Sequence, residues 1–275
     1  MSSFKEDILI LCKTYPSPSG RHIETSCVAG VNQNGNLIRL FPVPFRLIDG
    51  SIQFKKWQWI NARIEKAPRD HRTESHKIYV DTIQSLGQPL PTTNLWQARR
   101  KVIDKLPIFK TFSDLEIARA SDGVTLGLLS PSRMLGLDIT PCSNPDWTPE
   151  ERAKLLQSQQ QGGLFDSSDE KAITTLRKLP FDFHYRYECE GNAGIETHRH
   201  KIADWEAGAL YWNCRKQDSA HWEELFRRQL ESKIPECDLM FLMGTIHRFP
   251  DQWLIVSLIY PPKRRPAPPQ MTFDL

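Results

Sequence analysis

Arg69-Asp70-His71-Arg72-Thr73-Glu74-Ser75-His76 is the densest polar stretch of this 275-residue chain, and it mixes side chains that hold divalent metals. Asp70, His71 and Glu74 are its candidate catalytic residues. Hard carboxylates beside a metal-bound water are what phosphodiester hydrolysis requires, with Mg²⁺ as the cofactor. Their spacing brings Asp70 and Glu74 together only on a helix or a tight loop, and a charged turn crossing the surface has the same composition. Mg²⁺ belongs to this nuclease alternative alone; otherwise no cofactor is expected. Cys189, His198, His200 and Cys214 offer donors that zinc accepts. Their Cys-x8-His-x-His spacing matches no standard zinc module and no CxxC occurs, so a buried thiol with loop histidines is the reading, and any zinc there is structural. No G-x-S-x-G, P-loop, G-x-G-x-x-G or HExxH motif is present. Cys12 and Cys27, the thiols that His22 would have to activate, lie in apolar strand patterns where cysteine packs and stays inert.

Cations and rings interleave in the first part of the chain: Lys13, Tyr15, Arg21, Arg39, Arg46, Lys55, Lys56, Trp57, Trp59 and Arg63. Binding of single-stranded nucleic acid uses this mixture, because cations track phosphates while rings stack on bases at about 1–3 kcal/mol per base. Trp57 and Trp59, two apart on one strand face, are either such platforms or core residues. The charge distribution favours the same region. Residues 1–110 hold 17 Lys/Arg against 9 Asp/Glu, whereas residues 111–180 hold 7 against 10 and residues 181–275 hold 12 against 14. A positive field of this kind fits a phosphate backbone, DNA or RNA, and fits a solvated basic surface nearly as well.

The remaining composition excludes more than it assigns. A 39% hydrophobic, 25% charged chain is ordinary for a globular protein. No apolar run reaches the roughly 20 residues of a membrane span, so no membrane partner is expected. The acidic start, Met1 to Asp7, leads straight into a strand and is no signal peptide. Six dispersed cysteines fit reduced thiols in a cytoplasm.

These side chains must be positioned by short strands. Ile8-Leu9-Ile10-Leu11-Cys12 is a continuous apolar run, which predicts a strand buried on both faces. Asn34-Gly35 between two apolar runs predicts a hairpin over Cys27 to Phe41, with Pro42 and Pro44 ending its second strand. Trp57 to Glu65 alternates as a half-exposed strand, with His76 to Val80 its neighbour across the charged turn. A helix over Trp96–Lys105 turns Leu95, Val102 and Ile103 inward, and further strands cover Leu126–Leu129 and Met134–Ile139. Many short strands separated by turns argue for a small barrel or a pair of them. Thr148-Pro149-Glu150-Glu151 carries a capping box. Downstream, Phe183 to Cys189 alternates as a strand, Asp204 caps one helix and Ser219 a second, and Leu239–Gly244 with Trp253–Tyr260 forms a hairpin over His247 to Pro250.

The chain ends in Pro261-Pro262-Lys263-Arg264-Arg265-Pro266-Ala267-Pro268-Pro269, which predicts an extended projecting segment. Gln270, Met271, Phe273 and Leu275 follow, a glutamine and spaced apolar anchors of a short docking peptide. The hexapeptide resembles the bacterial sliding-clamp-binding motif, Gln-Leu-x-Leu-x-Leu, with Phe273 in place of the usual leucine. Gln161-Gly162-Gly163-Leu164-Phe165 resembles its five-residue form. The resemblance implies the sliding clamp as a partner, against an inert tail or a different partner. Lys13-Thr14-Tyr15-Pro16, Ala29-Gly30, Arg39 to Arg46, Asp204-Trp205-Glu206 and Gly244-Thr245 to Pro261-Pro262 resemble an uncharacterised bacterial protein family encoded near mobile-element and phage-defence genes. That family supplies no activity to carry over. The strand–hairpin opening is also similar to proteins with paired oligonucleotide-binding (OB-like) barrels.

The expected protein is α+β, with a basic, β-rich, OB-like barrel over residues 1–142, a helical and Gln/Gly-rich linker over 143–179, a smaller α+β domain over 180–262 and a tail over 263–275. The expected role is a nucleic-acid-binding accessory protein of bacterial genome maintenance or phage defence. The alternatives are a metal-dependent nuclease or other nucleic-acid-processing enzyme, and a protein-interaction module without nucleic acid.

Overall fold

The computed structural model describes residues 2–19, 23–151, 153 and 176–264. The first unit contains β1 (Phe4–Lys13), β2 (Ser17–Ser19), β3 (Ile23–Asn32), β4 (Leu37–Val43), β5 (Trp59–Lys66), β6 (Ser75–Ile78), β7 (Gln84–Ser85) and α1 (Thr93–Ile103). Five of these strands close on themselves in the order β1-β3-β4-β6-β5-β1, with β2 and β7 appended at the edges. Every barrel pairing is antiparallel except β4–β6, where Arg39 and Leu40 lie beside Ser75 and His76. This is the order of an OB-like Greek-key barrel.

The apolar run of β1 explains itself in this arrangement. Ile8 and Ile10 point into the barrel with Val28, Leu40, Ile60 and Ile64. Leu9 and Leu11 point outward, yet they too are buried, against Leu126, Leu128, Leu242 and Val256 of the second unit. The hairpin forms where Asn34-Gly35 predicts it: Gly35 adopts φ +83°, and the Asn32 side-chain oxygen accepts from the Asn34 and Asn36 amides. β4 does not end at Pro42. It continues to Val43 across a bulge, between the Leu40–Val28 and Val43–Ser26 pairs, a place where a missing proline N–H costs no ladder bond. The bulge turns the Phe41 ring outward, where it is 44% exposed. Trp57 precedes β5 rather than lying on it, at φ +66°. In α1, Asn94, Leu95 and Trp96 are left-handed, which leaves Leu95 exposed instead of inward.

The second unit contains β8 (Ile108–Phe109), α2 (Phe112–Asp122), β9 (Leu126–Leu129), β10 (Arg133–Pro141), β11 (Phe181–Gly191), β12 (Gly194–Lys201), α3 (Trp205–Gln217), α4 (Trp222–Arg227) running on through a π-helical turn, β13 (Met240–Ile246) and β14 (Phe249–Ile259). β9 pairs with β13 and β10 with β11, so the two short strands act as the halves of one bent first strand. β11 pairs with β12, β13 with β14, and β12 meets β14 through the parallel Ile202–Ile255 bridge. The first barrel's strand order recurs, with α3 and α4 between the third and fourth strands. The expected boundary near residue 142 therefore moves upstream: residues 126–141 are hydrogen-bonded into the second unit, because their partners in β11 and β13 lie forty or more residues later in the chain. Asp204 caps α3 as expected, accepting from the Glu206 amide. α4 starts after His221 instead of Ser219, with the Asp218 carboxylate taking the Ala220 and His221 amides. The capping box closes as predicted, Thr148 and Glu151 each accepting the other's backbone amide.

The barrels meet through an apolar seam stitched by buried polar groups. Arg39 Nη2 donates to Thr125 O at 2.8 Å, Arg72 Nη1 to Thr245 O at 3.0 Å and Ser257 Oγ to Leu11 O at 3.2 Å. Each bond satisfies a group that would otherwise be desolvated at a cost of about 1–3 kcal/mol, so the seam fixes one relative placement of the barrels. No helix among the described residues is long and apolar enough to cross a membrane, and all six cysteines are free thiols.

Candidate nucleic-acid interface

Residues 67–74 connect β5 to β6, the fourth and fifth strands of the first barrel, and this is one of the loops that flank the ligand face of OB-like barrels. The loop is held rigid by its own polar groups. Asp70 accepts from the Arg72 backbone amide at 3.1 Å and from its Nη2 at 2.7 Å. Lys66 Nζ donates to the Arg72 and Thr73 carbonyls. Partial burial opposes ionisation of Asp70, but the hydrogen bonds from Arg72 dominate and hold its carboxyl well below the usual range. Arg72 in turn reaches Thr245 O, so the loop is bolted to β13, and the β13–β14 turn of the second barrel stands beside it.

Between the two loops lies an open cleft of about 990 Å³, walled by Phe41, Arg69, Lys77, His247 and Arg248. Arg69, Lys77 and Arg248 are exposed, and among the described residues none of them forms an ion pair. The carboxylate in the cleft, Asp70, is already neutralised by Arg72. Phe41 contributes an exposed ring to the cleft; Phe249 follows Arg248 and is 55% exposed, but it does not line the cleft. Exposed cations without ion pairs among the described residues, Lys77 lying 4.9 Å over the Tyr79 ring, stand beside an exposed ring, and these are the parts that single-strand binding needs.

The sequence-derived candidates are distributed differently. His71 and Asp70 line this region, His71 stacking on His247 at 5.4 Å and His247 Nδ1 lying 3.3 Å from Asp70 Oδ1. Glu74 does not join them. The loop is too extended for the expected approach, and Glu74 turns inward to accept from Arg39 Nε at 3.0 Å and from Thr125 Oγ1 at 2.6 Å. Arg39 is consequently a seam residue, buried with Glu74. Arg46 pairs with Glu24 at 3.1 Å. Lys13 Nζ lies 3.6 Å over the Phe45 ring, and burial pushes its pKa down to about 8. Tyr15 is tied between Arg177 O and Trp212 Nε1. Burial opposes the charge of Lys56, but Asp204 and Glu206 more than offset this and raise its pKa. Trp57 is core, 3% exposed and edge-on to Trp96 at 5.6 Å, so its ring cannot stack on a base. Lys55 and Arg63 are exposed, Arg63 over the Tyr79 ring at 4.1 Å. Arg21, the Gln161–Phe165 segment and the docking residues Gln270, Met271, Phe273 and Leu275 lie outside the described residues. A separate cleft of about 660 Å³ gathers Lys13, Lys55, Lys56, Trp96 and Arg99, with Arg99 over Trp96 at 4.5 Å.

The zinc candidates are not brought together. Among the described residues the metal-competent cluster is Asp70, His71 and His247, and none of the four belongs to it. Burial raises the Cys189 thiol to about 11 and also raises that of Cys214 on α3. His198 Nε2 bonds Glu196 at 3.0 Å and His200 Nδ1 bonds the Tyr187 hydroxyl at 2.9 Å, so both imidazoles are engaged with protein partners. His247, Arg248 and Phe249 escaped sequence reasoning because they read as an ordinary hairpin turn. A histidine–arginine–phenylalanine turn is a signal only once the loop it faces is known.

No curated protein matches the chain. Among solved structures, a chain of a replication protein A heterotrimer bound to ssDNA is similar at 10% identity and a TM-score of 0.23, over 94% of this chain and 65% of that one. This chain thus spans less than two thirds of that relative's length. A model described as a domain of unknown function, DUF8758, matches residues 4–105. Its end and the start of a second match fall at the β8 junction between the barrels, and by that second match, over residues 109–275, the chain belongs to the family described as domain of unknown function DUF8757.

Proposed function

We propose that this protein binds single-stranded nucleic acid, DNA or RNA, as a non-enzymatic accessory factor. The observation that carries the reading is the meeting of the strand 4–5 loops of two OB-like barrels on one cleft, with Arg69, Lys77 and Arg248 in no ion pair among the described residues and Phe41 exposed. The test is a titration of labelled single- and double-stranded DNA and RNA, with and without Mg²⁺, at two salt concentrations. Salt-sensitive binding of intact single strands that weakens in Arg69→Ala/Arg248→Ala supports the proposal. No binding at about 50 mM salt, where phosphate contacts are strongest, refutes it and leaves a protein-interaction module.

The proposal extends to a cytoplasmic role in bacterial genome maintenance or phage defence, with tethering to the sliding clamp through Gln270 to Leu275. A tether raises effective concentration, so neither tail nor cleft need bind tightly alone. Removing those six residues abolishes clamp retention if the tether exists. A nuclease reading draws support from the convergence of Asp70, His71 and His247. Mg²⁺ prefers oxygen ligands, and here one carboxylate already bonded to Arg72 faces two imidazoles, so the geometry favours binding over hydrolysis. Mg²⁺-dependent strand shortening that disappears in Asp70→Ala would reverse that ranking.

A further inference from the structure

We propose that Asp70, His71 and His247 form a site for one divalent transition-metal ion of the zinc class, fastening the strand 4–5 loops of the two barrels together. The three side chains come from loops 177 residues apart, and their ligand atoms all lie within 4.8 Å of one another. With metal–ligand bonds of about 2.0–2.1 Å, the edge of a coordination tetrahedron is roughly 3.3 Å. His247 Nδ1 and Asp70 Oδ1 are 3.3 Å apart, already at such an edge. His71 lies nearly parallel to His247, at 5.4 Å and 22° between ring planes, so a small turn about its side-chain torsions brings its nitrogen to a third corner.

The donor set decides the ion. Two imidazoles and one carboxylate suit Zn²⁺, Co²⁺ or Ni²⁺, whereas Mg²⁺ and Ca²⁺ prefer oxygen cages. Arg72 takes the position that outer-shell partners occupy in metal centres, orienting Asp70 through its backbone amide, Nε and Nη2 while Nη1 is anchored on Thr245 O. Its charge opposes the cation, so the site is of moderate affinity. The fourth corner opens to the cleft, where water completes the shell. Metal binding at this cluster is independent of nucleic-acid binding.

The experiment uses the full chain, stripped with chelator and titrated with Zn²⁺ against a fluorescent competitor, without nucleic acid; Co²⁺ titration adds a visible spectrum that reports tetrahedral coordination. The expected result is one ion per chain, unaffected by excess Mg²⁺. His71→Ala and His247→Ala, both at exposed positions that leave the fold intact, each weaken binding by more than the 10–100-fold that loss of an outer-shell partner costs. His198→Ala changes nothing. Absence of binding overturns the proposal, as does binding that survives the His71→Ala/His247→Ala double variant or disappears on blocking the thiols. Metal binding that persists while nucleic acid is not bound refutes only the preceding reading, and the converse result refutes only this one.

Discussion

Replacing Arg69 and Arg248 together by alanine tests the cleft through the salt dependence of binding. A cation that neutralises a phosphate releases condensed counterion, and for single strands the slope of log K against log salt is about −0.7 per contact. Arg69, Lys77 and Arg248 supply three such contacts, so the expected slope is about −2.1, and affinity falls roughly 20-fold between 50 and 200 mM salt. With Lys77 alone the slope becomes about −0.7 and the fall only about 2.6-fold. Both arginines are exposed and without ion pairs among the described residues, so the variant keeps its fold and the comparison is clean. Fluorescence anisotropy of a labelled oligonucleotide across the salt series measures both slopes. A parallel Lys55→Ala/Arg63→Ala variant, which removes exposed cations outside the cleft, should leave the slope unchanged. If the two double variants exchange behaviour, or the arginine variant retains the full slope, the cleft is not the phosphate track.

Phe41→Ala should weaken single-strand binding by about 1–3 kcal/mol where the ring stacks on a base, with no change in salt slope; an altered slope or unaltered affinity would refute stacking. Arg39→Ala strips a buried ion pair and leaves the Glu74 carboxylate uncompensated, so unfolding in urea should show a loss of about 3–5 kcal/mol. Arg39→Met/Glu74→Gln should recover part of that loss, and a single-variant cost below about 1 kcal/mol would mean that water reaches the seam. Burial, with His198 adding to it, pushes the His200 pKa from 6.5 down to about 4. The unfolded chain therefore takes up this proton first as pH falls, so the His200 contribution is complete above pH 6.5 and is lost towards pH 4, by up to about 3 kcal/mol. Urea unfolding at pH 7 and pH 4.5 should show a smaller pH difference for His200→Asn than for the unaltered protein; parallel losses would contradict the assignment.

Much of the local structure was legible because it depends on near neighbours. The Asn34-Gly35 turn, the Asp204 helix cap and the Thr148–Glu151 capping box are each decided within four residues. The double burial of Ile8–Cys12 was legible too, since only a strand covered on both faces tolerates such a run, although nothing in the run says what covers it. A period of two assigns faces but not partners. The parallel β4–β6 pair that closes the first barrel, the attachment of β9 and β10 to strands far downstream, and the exposed ring that the Phe41 bulge presents follow only from long-range pairing. The same reason governs the site. Composition pointed to the 69–76 cluster as a metal-binding candidate, but Glu74 turned inward because the docked second barrel offered it Thr125, and His247 arrived from that barrel to take its place beside Asp70. Residue types set which chemistry is available; the docking of one barrel on the other decided which residues share it.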